Sequence, residues 1–296
     1  MSLVINHNMM AMNAARNLGA SYGRLATSTQ RLSSGLRINS SADDAAGLAI
    51  RELMRAEIAG MNQGIRNAND AISMIQTADG ALQIIDEKLI RMKELAEQAA
   101  TGTYNHQQRL MIESEYQQMA SEITRIALST DFNGIKLLDG KLSGDHDGKT
   151  LDPTGAVKIH FGTSNSSAED YYYIKIGEAT ASALGVGNQS TPGTAGYTVS
   201  TQSAAQESLD AINNAIDSKD KIRAHLGAMQ NRLENTVSNL QIMAENLQAA
   251  ESRISDVDVA TEMTEFVRNQ ILTQSAVAML SQANSLPQMA LSLIQG

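Results

Sequence analysis

Between Asn269 and Gly296 no side chain carries a charge, and this 28-residue run constrains the fold more than any other feature of the sequence. Leu272, Val277, Met279, Leu280 and Leu286 stand out among its apolar residues, and most of the remainder is Ala, Asn, Gln, Ser and Thr. A membrane span needs about 18 nearly continuous apolar residues. Here the amides and Pro287 interrupt the run. The pattern predicts a helix from about Ala260 to Leu286, followed by a further apolar turn or two. A lone helix of this kind buries too little apolar surface to offset the conformational entropy of ordering it. It is expected to stay disordered until another surface covers it. Residues 1–15 are the matching surface: apart from a neutral His7 they too are uncharged, and they carry Leu3, Val4, Ile5, Met9, Met10 and Met12. Two uncharged, half-apolar ends on an otherwise charged chain predict that the ends meet, and that they meet inside something larger.

Composition narrows the rest. Aromatic residues make up 3% of the chain and Trp is absent, which is poor material for a large globular core. The apolar residues are mostly Ala, Leu, Ile and Met, which favour helices. A net charge of −9 argues against nucleic acid and against an anionic membrane surface as partners. Without Cys there is no disulfide, thiol nucleophile or Cys-based metal site. The first basic residue is Arg16, so the start does not resemble a cleavable secretory signal, and if the chain leaves the cell the expected route is one that leaves its amino terminus intact.

Along the chain, Val4, Ala11, Leu18, Leu25 and Leu32 recur at seven-residue intervals, one seam of a coiled-coil-like helix, with Ala15 and Tyr22 as weaker support. Gly35 ends that helix, and Ser41 with Asp44 is the expected cap of the next. A second, long helix is predicted from about Asp43 to Ala99, with the column Met54, Met61, Ala68, Ile75, Leu82, Leu89 and Ala96. Its companion column, Ile58, Ile65 and Ile72, then shifts phase to Ala78, Ile85, Met92 and Ala99. A shorter helix is expected from Leu110 to Leu128, and turns at Asn133-Gly134 and Asp139-Gly140. Val157 to Phe161 and Tyr171 to Ile176 predict a β-hairpin within a Gly-, Ser- and Thr-rich middle. From Ala205 to about Val257 the helical pattern returns, with Leu226, Leu233, Leu240, Leu247 and Ile254 beside Ile222, Met229, Met243, Ala250 and Val257. The fold class is therefore mainly α: a long antiparallel helical bundle built from both ends of the chain, with a small β-hairpin region between.

Four stretches are specific enough to compare with known proteins. Leu32 to Ile50 reads LSSGLRINSSADDAAGLAI, Phe132 to Gly140 reads FNGIKLLDG, Ser252 to Ala260 reads SRISDVDVA, and Gln282 to Pro287 reads QANSLP. In type and order they resemble the signatures of the bacterial flagellins, over roughly residues 1–140 and 205–296. The resemblance implies a structural, non-catalytic subunit without cofactor or metal. It would pass through the flagellar type III export apparatus unfolded, with an export chaperone on its carboxy-terminal helix. It would then polymerise with copies of itself under a filament cap, beyond the hook-junction proteins, into the extracellular filament that propels swimming.

The implied organisation assigns 1–42 and 258–296 to an inner core lining a channel. Residues 43–140 and 205–257 form the next helical shell, and 141–204 a short β-rich surface region. Val4, Ala11, Leu18, Leu25, Val267, Ile271, Met279, Leu280 and Leu286 are the candidate inner-core assembly residues. Arg91, Leu95 and Glu115 stand where the family's contacts with the flagellin-sensing Toll-like receptor of animals fall. Two alternatives share parts of the pattern: a hook-filament junction protein, and a cytoplasmic helical signalling module. An embedded zinc peptidase would need a His-Glu-x-x-His helix, and the five histidines stand apart from one another. Asp145, Asp147 and Asp152 lack the closing Glu of a calcium loop and read as a solvated turn.

Overall fold

A computed structural model describes residues 8–146, 155–167, 169–187 and 198–295, with side chains undefined at 286 and 290–295. Among the described residues there are five α-helices: α1 (Met9–Ser34), α2 (Ala45–Ala100), α3 (His106–Ser129), α4 (Gln202–Ser255) and α5 (Val259–Gln295). Between α3 and α4 lie two antiparallel hairpins, β1 (Asp131–Phe132) with β2 (Ile135–Lys136), and β3 (Val157–His160) with β4 (Tyr171–Ile174). The chain forms two compact units, one of Met1–Ile58 with Glu245–Gly296 and one of Ala59–Ala244.

Helix ends follow local chemistry. Asn8 opens α1 by accepting the Ala11 N–H at 3.0 Å, and Gly35 closes it in the left-handed region at φ 73°. At the start of α2 the cap is Asp44, which accepts the Gly47 N–H at 2.9 Å. Ser41 does not take that part: the preceding turn is held by Asp43, whose carboxylate accepts the N–H groups of Asn39 and Ser40. Those backbone donors hold the Asp43 carboxyl below its ordinary pKa. Asn105 and Gln108 form a reciprocal capping box at α3, which starts at His106, a turn earlier than Leu110. The β1–β2 turn places Asn133 at φ 50° and Gly134 at φ 81°, the two left-handed residues that a tight hairpin requires.

In the second unit α2, α3 and α4 share one core. The column Met61, Ala68, Ile75, Leu82, Leu89 and Ala96 is buried throughout. Its companion needs no phase shift: Gly64, Ala71, Ala78, Ile85, Met92 and Ala99 form an unbroken buried column at seven-residue spacing, and Ile58, Ile65 and Ile72 flank it half-buried. The large residues drew the periodicity onto the flank, while the interior takes the small ones. On α4 the interior passes from Leu240 to Ala244, leaving Met243 exposed. The segment after β2 supplies Leu142, Ile174, Ile176, Leu184, Val186 and Val199 to the same core, so much of the middle packs inside rather than decorating the surface.

Charges are built into this core. Lys219, 2% exposed, forms ion pairs with Asp86 of α2 and with Asp220 at 2.8 Å. One turn on, Arg223 reaches Asp79 at 2.7 Å, and that carboxylate raises the guanidinium pKa further. Because an unpaired buried ammonium is costly, Lys219 ties antiparallel α4 to Asp86 of α2, and the more exposed Arg223–Asp79 pair lies alongside.

Candidate assembly surfaces

In the first unit α1 and α5 lie antiparallel, as two ties show: the Asn8 side-chain amide donates to the Ala283 carbonyl at 2.7 Å, and Arg31 faces Glu262 at 3.6 Å. The seam between them is made of small and polar residues. Ser21 and Ser28 on α1, with Asn269, Thr273 and Ala283 on α5, are buried there, and Ala11, Leu18, Leu25 and Leu280 are half-buried. The supporting column on α1 is thus Ala14, Ser21 and Ser28; Ala15 and Tyr22 face outward. Thr273 stays satisfied by donating its hydroxyl to the Asn269 carbonyl at 2.8 Å.

Most of the large apolar side chains point the other way. Val267, Ile271 and Met279, together with Leu272 and Val277, are exposed around the circumference of α5, and Met9, Met10 and Met12 are exposed on α1. Of the remaining inner-core candidates, Val4 and the Leu286 side chain lie outside the described residues. The helix continues to Gln295 through Pro287, beyond the expected end near Leu286.

The connectors at the base of these helices come from two of the sequence signatures. Leu36 and Asp256 form an antiparallel bridge, with Arg37 N–H donating to Ser255 O at 2.7 Å and Val257 N–H to Gly35 O at 3.0 Å. The Arg37 guanidinium reaches the Ile254 carbonyl at 2.7 Å. Arg51, buried, donates to the Ile38 carbonyl at 2.8 Å. Asp258 caps α5 through the Thr261 hydroxyl and the N–H groups of Thr261 and Ala260, which lower its carboxyl pKa. The motifs are therefore paired connector chemistry, 217 positions apart at the Arg37–Ile254 contact.

In the second unit the proposed receptor residues separate. Arg91 crosses from α2 to α3 to bond Glu115 at 2.8 Å, with Glu94 at 2.8 Å, and those carboxylates, Glu115 foremost, raise its pKa. Leu95 is 1% exposed and sits in the core between the helices, so it presents no surface for contact. The reason is positional: Leu95 follows Met92 by one turn on the buried face of α2, whereas Arg91 lies on the outer one.

The loop after β3 lies directly on α2, where Gly60 and Gly64 leave room for it and the Asn67 amide donates to the His160 carbonyl at 2.8 Å. A Cβ on Gly64 would stand 2.0 Å from the Phe161 carbonyl oxygen. Buried Asp170 accepts the Ser166 N–H at 2.7 Å and orders the loop. On the other side Tyr172 stacks under the Arg232 guanidinium of α4 at 3.6 Å. Two glycines in the interior of a helix were the available signal. Loop, α2 and α4 enclose a groove of about 900 Å³, lined in part by Asn231, Asn235 and Asn239.

A helical pair whose large apolar residues face outward defines a structural protein that works by assembly. The comparisons with known proteins agree. Residues 5–143 match the bacterial flagellin N-terminal helical region and 209–294 the bacterial flagellin C-terminal helical region. A flagellin of Halalkalibacterium halodurans is 43% identical over 294 residues, covering 99% of this chain and 100% of the relative. Flagellin FlaB2 of Treponema pallidum is 42% identical over 296 residues, covering 99% and 100%. The crystal structure of Bacillus cereus flagellin is 30% identical, covers 63% of this chain and 94% of that one, and has a TM-score of 0.47.

The chain belongs to the bacterial flagellin family. It is a structural subunit of the extracellular flagellar filament, a homopolymer, and not an enzyme. Among the described residues no helix is long and apolar enough to cross a membrane.

Proposed function

We propose that α1 and α5 are the inner-core assembly element of this subunit and that their folding is coupled to polymerisation. The observation that carries this is the distribution of apolar residues on α5. A helix apolar on all sides belongs in an interior, and α5 has Val267, Ile271, Leu272, Val277 and Met279 exposed. In the filament Ala11, Leu18, Leu25 and Leu280 hold the α1–α5 pair, while Val267, Ile271 and Met279 pack against neighbouring copies. Residues 1–42 and 258–296 line the channel, and 43–140 with 205–257 form the next shell. The subunit leaves the cell through the type III route with a chaperone covering α5, and adds beneath the cap beyond the hook-junction proteins.

The test is amide hydrogen exchange on dilute monomer and on filaments grown from seeds. Residues 9–34 and 259–295 should exchange freely in the monomer and become protected in the filament. Protection of both helices in dilute monomer would overturn the coupling.

Recognition by the flagellin-sensing Toll-like receptor, if this chain meets it, would rest on Arg91 and Glu115 at the α2–α3 surface, with Leu95 shaping that surface from beneath. Arg91→Glu should abolish receptor activation by the monomer; undiminished activation would remove the site.

A further inference from the structure

Among the described residues most exposed methionines lie in the first unit, and Met111 and Met243 are the exposed ones of the second. In the second, Met61, Met74, Met92 and Met229 are buried, none more than 8% exposed. In the first, Met9, Met10, Met12, Met263, Met279 and Met289 are between 45 and 64% exposed. The Asn8–Ala283 tie places Met9, Met10 and Met12 at the same end of the helical pair as Met279. Unbranched thioethers adapt to irregular packing, which suits a surface that must be covered by copies of itself. The same exposure gives oxidants access to these side chains until they are covered.

We propose that these six methionines are sulfoxidation sites through which peroxides withdraw free subunits from polymerisation, and that assembly itself shields them. The inference rests on the reading of α1 and α5 as surfaces buried between copies. In the reaction a thioether sulfur donates a lone pair to one peroxide oxygen and the O–O bond breaks. The departing hydroxide takes the proton of the transferred oxygen and leaves as water, so sulfur is oxidised and peroxide reduced. The product is a polar sulfoxide on what had been an apolar contact. Burying such a group without a hydrogen-bond partner disfavours the packed state by about tenfold or more.

Full-length monomer would be treated with hydrogen peroxide, its sulfoxides mapped by peptide mass spectrometry, and its elongation of filament seeds followed by light scattering. Oxidation at the six positions should outpace that at Met61, Met74, Met92 and Met229. Treated subunits should need at least about tenfold higher concentration to elongate seeds. Methionine sulfoxide reductases should restore elongation, which tests the proposal without any substitution. A variant with the exposed Met111 and Met243, both outside α1 and α5, replaced by Leu should lose elongation on treatment as the wild type does.

Oxidised wild-type subunits that elongate like untreated ones would overturn the proposal, as would protection from peroxide by Met111→Leu with Met243→Leu. Filaments whose six methionines oxidise as fast as those of the monomer would instead overturn the buried-surface reading on which it depends.

Discussion

Gly64 offers the sharpest test of how the second unit is held together. In an exposed helix interior, Gly→Ala stabilises by up to about 1 kcal/mol, because Ala restricts the unfolded chain and favours the helix. At Gly64 the new Cβ would meet the Phe161 carbonyl oxygen at 2.0 Å and the Phe161 carbonyl carbon at 2.7 Å, and both are backbone atoms with no rotamer to escape into. The loop would have to retreat by about 1.4 Å to restore ordinary contact. Such a shift strains the Asn67–His160 bond, worth about 1 kcal/mol, and loosens the packing of buried Phe161. Overpacking of this kind costs about 1–3 kcal/mol, so the net effect of Gly64→Ala should be a destabilisation of up to about 2 kcal/mol after the helical gain. Gly80 is the internal control, since it lies in the same helix and a Cβ there meets nothing within 4 Å. Gly80→Ala should stabilise by about 0.5–1 kcal/mol. Urea denaturation of the monomer, followed by circular dichroism, measures both. If the two midpoints move in the same direction by the same amount, the close approach of the loop does not explain the glycine.

Two further predictions concern charge. Asp86→Ala should destabilise the second unit by about 2–3 kcal/mol, toward the low end for a buried pair because Asp220 remains 2.8 Å from Lys219. Adding Lys219→Met should recover most of that loss in the same urea assay, and a double variant no better than Asp86→Ala would refute the cost assigned to the unpaired ammonium. Asp258 is exposed, and its hydrogen bonds depress its pKa in the folded chain. The cap it supplies should be complete above the unfolded value and disappear as pH falls through the folded one. Carboxyl-carbon chemical shifts of Asp258, read against pH in assembled filaments, should titrate below those of an unstructured Asp; a midpoint at or above that value would remove the cap.

Long-period helices were legible because seven-residue columns of Ile, Leu and Met are redundant: Met61, Ile75, Leu82 and Leu89 would identify the buried face of α2 even with one position misread. The Asn133-Gly134 turn was legible because few residue pairs accept two left-handed conformations in succession. What escaped was what depends on a partner far along the chain. Gly64 reads as a weak point of a helix until the Phe161 backbone is placed on it. Lys219 reads as a solvated charge until Asp86 arrives. Leu95 was assigned by motif position, and a motif does not say which side of a helix faces water.

The α1–α5 pair has a seam that apolar counting reads only in part: Ala11, Leu18 and Leu25 lie half-buried in it, beside small polar residues. An amphipathic helix is read by assuming that its largest apolar residues face its nearest neighbour. Here the nearest neighbour receives Ser21, Ser28, Asn269 and Thr273, while Ile271 and Met279 are left exposed. That ordering is reasonable if the seam is only the first of several contacts. Small seam residues permit close approach but contribute little transfer energy, so the pair is weak alone and the larger share of apolar burial is deferred until other copies arrive. A subunit that must remain flexible before it is added, and rigid afterwards, needs that division. Enlarging Ser21 and Ser28, both buried in that seam, would hold the helices apart and weaken the pair further.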